Sequence, residues 1–134
     1  MRVECIYPKK EYAEDSNNNS LVLKVDYKGL SMLETGDVES KGEQNFVGKD
    51  VSADVLKVAH HGSSSSSSVA LLNGVKPKIA IISAGRNNSY GHPHEETLHK
   101  LQQLDIPYLC TKEVGAMHIY KRNEIINIET CAKD

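Results

Sequence analysis

Ser20–Tyr27 alternates between apolar and polar side chains, and Lys28-Gly29 offers a tight turn into a second run, Leu30–Thr35. Together they predict a β-hairpin. Upstream, Val3–Tyr7 reads as a short strand stopped by Pro8 and followed by a polar loop, Lys9–Asn19. Downstream, alternation gives way to continuous apolar runs. Val55–Ala59 and Lys78–Ser83 read as buried strands of the kind parallel sheets contain. Val69–Val75 predicts a short helix entered through serines and closed by Gly74. His94–Leu104 predicts another, with Leu98, Leu101 and Leu104 at helical spacing and Pro93 as a start signal. Val38–Asp54 is polar, a loop with a short helix. Pro107–Cys110, Ala116–Tyr120 and Glu124–Ile128 read as closing strands, the last two joined by a turn at Lys121-Arg122-Asn123. A meander, then strand–helix–strand–helix–strand, then a hairpin predicts one α/β domain over residues 1–134, with a mixed sheet and flanking helices.

Composition narrows this picture without redirecting it. A chain of 134 residues suits one domain with a real core. Its 16 basic and 18 acidic residues leave a net charge of −2, which argues against a nucleic-acid-coating module but leaves a local patch open. No apolar run approaches the roughly 20 residues that span a bilayer. Met1-Arg2-Val3-Glu4 lacks the apolar core of a signal peptide, so the expectation is a soluble chain, cytoplasmic as expressed, with its native compartment left open. Cys5, Cys110 and Cys131 are odd in number, widely spaced and without a CxxC pair, which favours free thiols over disulfides or a zinc knuckle.

The chemistry-bearing residues cluster at strand exits. Asp37 follows Thr35-Gly36, where a carboxylate could bridge two divalent cations or simply cap the next segment. His60 and His61 leave the apolar run ending in Ala59, and Gly62 allows close backbone approach. Imidazole is a favoured ligand for zinc and similar ions. Alternation at a strand end would point the two rings apart, one as a ligand and the other acting on substrate or orienting the first. His92 precedes Pro93, which biases its backbone away from helix, and it could donate to a phosphate or leaving group. Ser63–Ser68 is either a flexible, cap-rich linker or a row of hydroxyls and N–H groups suited to an anion, with Ser63 and Ser65 as candidate phosphate contacts.

Taken in order, Asn17-Asn18-Asn19-Ser20-Leu21-Val22-Leu23, Thr35-Gly36-Asp37, Asp54–Ser63 and Tyr90-Gly91-His92-Pro93-His94 resemble the metallo-β-lactamase-like domain of ComEC-type competence (DNA-internalisation) proteins and their soluble hydrolase relatives. The resemblance runs from about Val3 to about Ile128. It implies part of an αββα sandwich and a zinc or manganese site at the strand ends. In that setting Asp37 is the bridging ligand and His60 or His61 a further one, with His60 favoured because it leaves the strand directly. His92 and the other histidine would serve the substrate phosphate. One departure is large: the family's HxHxDH-type cluster is missing, so the chain looks like the second half of the domain. A homo-oligomer or a partner segment is therefore expected to cover the sheet and complete the site, and the chain alone should be weakly active or inactive. DNA or another phosphodiester is the implied substrate. A phosphate-binding module and a purely structural half-domain are the competing expectations.

Overall fold

The computed structural model describes residues 1–9 and 16–131, so part of the polar loop predicted over Lys9–Asn19 lies outside the described residues. Six strands form one sheet in chain order: β1 (Arg2–Tyr7), β2 (Val22–Tyr27), β3 (Leu30–Glu34), β4 (Val55–Lys57), β5 (Ile79–Ile82) and β6 (Tyr108–Cys110). β1, β2 and β3 pair antiparallel, and β3 to β6 run parallel. Lys28 and Gly29 turn β2 into β3 with φ of 49° and 79°, the left-handed pair that a two-residue hairpin requires. Parallel neighbours need crossovers. Those crossovers hold α1 (Ser40–Glu43), α2 (Val69–Val75) and α3 (Glu95–Gln103). After α4 (Thr111–Val114), β7 (Ala116–Arg122) and β8 (Ile125–Cys131) pair as a separate two-stranded sheet. Lys121 Nζ ties that hairpin to the first by donating to the Gly29 carbonyl at 3.0 Å. The chain is a mixed α/β fold.

The core lies between the sheet and the crossover segments. Leu33, Leu56 and Ala80 stand in register across β3, β4 and β5 and are fully buried. They belong to one apolar cluster with Leu71, Leu72 and Val75 of α2, Leu101 of α3, and Phe46 and Val51 from the segment after α1. Each large side chain buried in this way stabilises the fold by about 1.5–3 kcal/mol.

Several predicted bounds shift for identifiable reasons. β4 ends at Lys57, and the apolar Val58 and Ala59 are buried without being strand. Val58 N–H still bonds the Ile81 carbonyl at 2.8 Å, but Ala59 begins a tight turn through Gly62. α2 is not closed by Gly74, which lies within it; Lys76 caps it in the left-handed region. Lys121 and Arg122 belong to β7, and the turn falls on Asn123 and Glu124, both with positive φ. Cys110 is buried while Cys5 and Cys131 are exposed, all three as free thiols.

Candidate functional site

The C-terminal ends of β3, β4 and β5 converge, which is where open α/β sheets bind ligands. β3 runs out into Thr35-Gly36-Asp37. Thr35 Oγ1 donates to the Lys57 carbonyl at 2.6 Å, and Asp37 N–H donates to Ser20 Oγ at 3.1 Å, so the turn is pinned from both sides. β4 runs into the histidine turn, where His60 (φ 49°, ψ 45°) and His61 (φ 57°, ψ 19°) are both left-handed. Each such non-glycine residue costs roughly 1–2 kcal/mol, and the surroundings offset it. His60 N–H bonds the Gly36 carbonyl at 3.0 Å, and Ser63 N–H returns to the His60 carbonyl at 2.9 Å. Gly62 has φ +85°, and a Cβ there would sit 2.6 Å from Pro93 Cβ. The two left-handed residues cancel the alternation expected of a strand end. Instead of diverging, the rings of His60, His61 and His92 form a triangle with centroids 6.4, 5.7 and 6.0 Å apart.

His61 Nδ1 lies 2.7 Å from the Ser83 carbonyl, which can only accept, so that nitrogen carries the proton. In the neutral ring Nε2 then holds a lone pair, and it faces Asp37 Oδ1 at 3.8 Å. Two acceptors thus look at one another across a half-exposed gap. An ion with ligand bonds of about 2.1 Å can bridge acceptors up to about 4.2 Å apart, so a divalent cation fits between them. The sequence favoured His60 as Asp37's companion because it leaves the strand first. The structure brings His61 to Asp37, since the left-handed turn swings the second ring back; His60 instead has Glu39 Oε1 3.7 Å from its Nδ1. Tetrahedral imidazoles on one ion sit with ring centres about 5 Å apart, a little closer than this triangle. Among the described residues, no three His, Cys, Asp or Glu side chains already converge on one point that could hold an ion. The donors fit part of a metal centre.

His92 is braced by Asn88, whose Oδ1 accepts from His92 N–H and whose Nδ2 donates to the His92 carbonyl, both at 2.8 Å. Burial, reinforced by the neighbouring His94, His60 and His61 and opposed by Asp37, pushes the His92 imidazole below its ordinary range. That shift favours the neutral ring. Exposed Tyr90 stacks on it, centroids 5.7 Å apart. Both rings line a pocket of about 260 Å³ with His61, Ser83, Gly85 and Asn88. His94 accepts from Ser64 N–H at 3.1 Å and donates through Nε2 to the Tyr90 carbonyl, which uses it as a clamp between loops.

The serine run is not a free row of donors. Ser67 and Ser68 N–H both donate to the fully buried Glu43 carboxylate, at 2.6 and 2.9 Å. Ser65 and Ser66 N–H turn back to Ser63, and Ser68 Oγ caps α2 by accepting from Leu71 N–H. A carboxylate from α1 occupies the place an anion would take. Ser63 and Ser65 bond to each other, 3.0 Å between hydroxyls, and Ser65 Oγ donates to Glu39 Oε1 at 3.1 Å. Glu39, Glu43 and Asn88 had no assigned role in the sequence reading. Nothing local marks Glu39 and Glu43, which meet their partners across more than 20 residues.

No family model matches the chain. It is similar to ComE operon protein 3 of Bacillus subtilis (strain 168), with 39% identity over 127 residues, covering 93% of this chain and 16% of that protein. It is 38% identical over 117 residues to competence protein ComA of Neisseria gonorrhoeae, covering 85% and 17%. Recombination protein 2 of Haemophilus influenzae is 39% identical over 103 residues, covering 77% and 13%. These relationships support a competence-protein family for the chain, which spans 13–17% of the length of these relatives.

Proposed function

We propose that this chain carries the aspartate-and-histidine part of a divalent-metal-dependent phosphodiester hydrolase that acts on DNA during its uptake, within half of a metallo-β-lactamase-like fold. The observation that supports this most is the pair of facing acceptors, Asp37 Oδ1 and His61 Nε2, held 3.8 Å apart at the strand ends. A role in DNA uptake is supported by the competence-protein relatives. Asp37 and His61 would hold zinc or manganese, with His60 beside them and the remaining donors coming from residues outside this chain or from a second copy. When bound, such an ion activates water and polarises a phosphoryl oxygen. His92, neutral and fixed by Asn88, offers one N–H to a phosphate oxygen, and Ser83 holds His61 in the tautomer that leaves Nε2 open. No helix among the described residues is long and apolar enough to cross a membrane. The phosphate-cradle reading of Ser63–Ser68 loses its main support, because those N–H groups are already bonded.

Calorimetric titration with manganese and zinc tests this reading, alongside cleavage of single- and double-stranded DNA. Weak ion binding that disappears in both Asp37→Ala and His61→Ala is expected, with cleavage appearing only when the rest of the relatives' domain is supplied. Ion affinity indifferent to both substitutions would overturn the proposal.

A further inference from the structure

His60 Nδ1 is buried and has no hydrogen-bond partner among the described residues. The carboxylate of Glu39 faces it, with Oε1 3.7 Å away. Asn18 holds the backbone of Glu39, and Ser65 holds its carboxylate. Glu39 N–H donates to Asn18 Oδ1 at 3.2 Å, and Oε1 accepts from Ser65 Oγ at 3.1 Å. Ser65 is itself fastened to Ser63, hydroxyl to hydroxyl at 3.0 Å, with Ser65 N–H donating to Ser63 Oγ at 3.4 Å. A carboxylate only accepts, so where no carbonyl claims the ring's other nitrogen, as the Ser83 carbonyl fixes His61, it favours the tautomer that turns an N–H toward it. The ring has His61 and His92 beside it, with centroids 6.4 and 5.7 Å away.

We propose that Glu39 is a positioning residue that selects the Nδ1–H tautomer of neutral His60 and thereby leaves its Nε2 lone pair for the site. The serine pair Ser63–Ser65 acts behind it, keeping the carboxylate aimed at the ring. The neighbouring histidine is set in the same sense by a different group, since the Ser83 carbonyl holds the proton on His61 Nδ1. One carbonyl and one carboxylate thus present two adjacent rings through the same nitrogen. Carboxylates placed behind liganding histidines raise ligand basicity and fix ring orientation. The use of this arrangement to the site rests on the hydrolase reading; the arrangement itself does not.

The test reads the tautomers directly. Nitrogen-15 spectra of the imidazoles of the metal-free chain, recorded at alkaline pH where histidines are neutral, should show the proton on Nδ1 for both His60 and His61. In Glu39→Gln, whose amide can donate as well as accept, His60 should move to a mixture of tautomers while His61 stays unchanged. Ser65→Ala should move His60 in the same direction by less. A wild-type His60 protonated on Nε2, or a Glu39→Gln protein with native amide shifts and an unmoved His60, overturns the proposal. If Glu39→Gln does not fold, an unmoved His60 in Ser65→Ala has the same force. Failure to bind metal would leave these spectra as they are, so the two ideas fail separately.

Discussion

Two aspartates sit at opposite ends of the same parallel strands and behave differently. Asp54, just before β4, accepts from Ser31 N–H and Oγ, both at 3.2 Å, and meets Lys78 Nζ at 2.8 Å. Its own N–H returns to Ser31 Oγ at 2.9 Å. Burial alone would push its carboxyl up, but Lys78 and Ser31 together outweigh that and hold it below the ordinary range. Asp37, just after β3, has a side chain 44% exposed against 15% for Asp54, and among the described residues its carboxylate meets a ring nitrogen at 3.8 Å. A carboxylate whose lone pairs are used up belongs to the architecture. One left open beside imidazoles is available to a ligand.

That contrast can be broken most sharply by deleting each carboxylate. Asp54→Ala strands a lysine and two serine donors, and should cost about 2–3 kcal/mol in urea denaturation. Asp37→Ala should stay within about 0.5 kcal/mol of wild type; equal losses would erase the distinction. Gly62→Ala attacks the backbone that carries the open end, through its positive φ and the approach of Pro93. A loss of about 1–3 kcal/mol is expected there, with perturbed His60, His61 and His92 resonances.

The acid limb sharpens the comparison further. The folded Asp54 carboxyl lies below its unfolded value, so the stability it contributes is fully present above about pH 4 and is lost as pH falls through the folded value. Asp54→Asn should flatten that limb, read by urea denaturation at a series of acid pH values. The smallest effect is a gain. His60→Gly relieves one left-handed side chain and should stabilise by up to about 1 kcal/mol, measured by thermal melting.

The sheet was legible because its signals are local: alternation in β2, the Lys28-Gly29 turn, and apolar runs at β4 and β5. Strand ends were less so. Val58 and Ala59 are apolar because they are buried, and burial does not distinguish a strand from the turn that follows it. The candidate residues Asp37, His60, His61 and His92 were found from residue type and position, and the structure brings them to one end of the sheet. Their mutual arrangement was not legible, because two left-handed residues in succession void the period-two argument. The roles of Glu39 and Glu43 were invisible for a different reason: each acts on a loop more than 20 positions away, and in the sequence both look like solvated charges of a polar segment.

Two adjacent residues at φ near +50° impose a restriction that reaches beyond stability. β-Branched and bulky side chains are penalised at positions 60 and 61, proline is barred, and the tolerated alphabet shrinks toward glycine, asparagine, aspartate and histidine. Of these four, only histidine brings a neutral nitrogen that can bind a soft or borderline cation. On the proposed metal-site reading, main-chain shape and coordination chemistry would select the same amino acid twice over, leaving a replacement few routes that keep both.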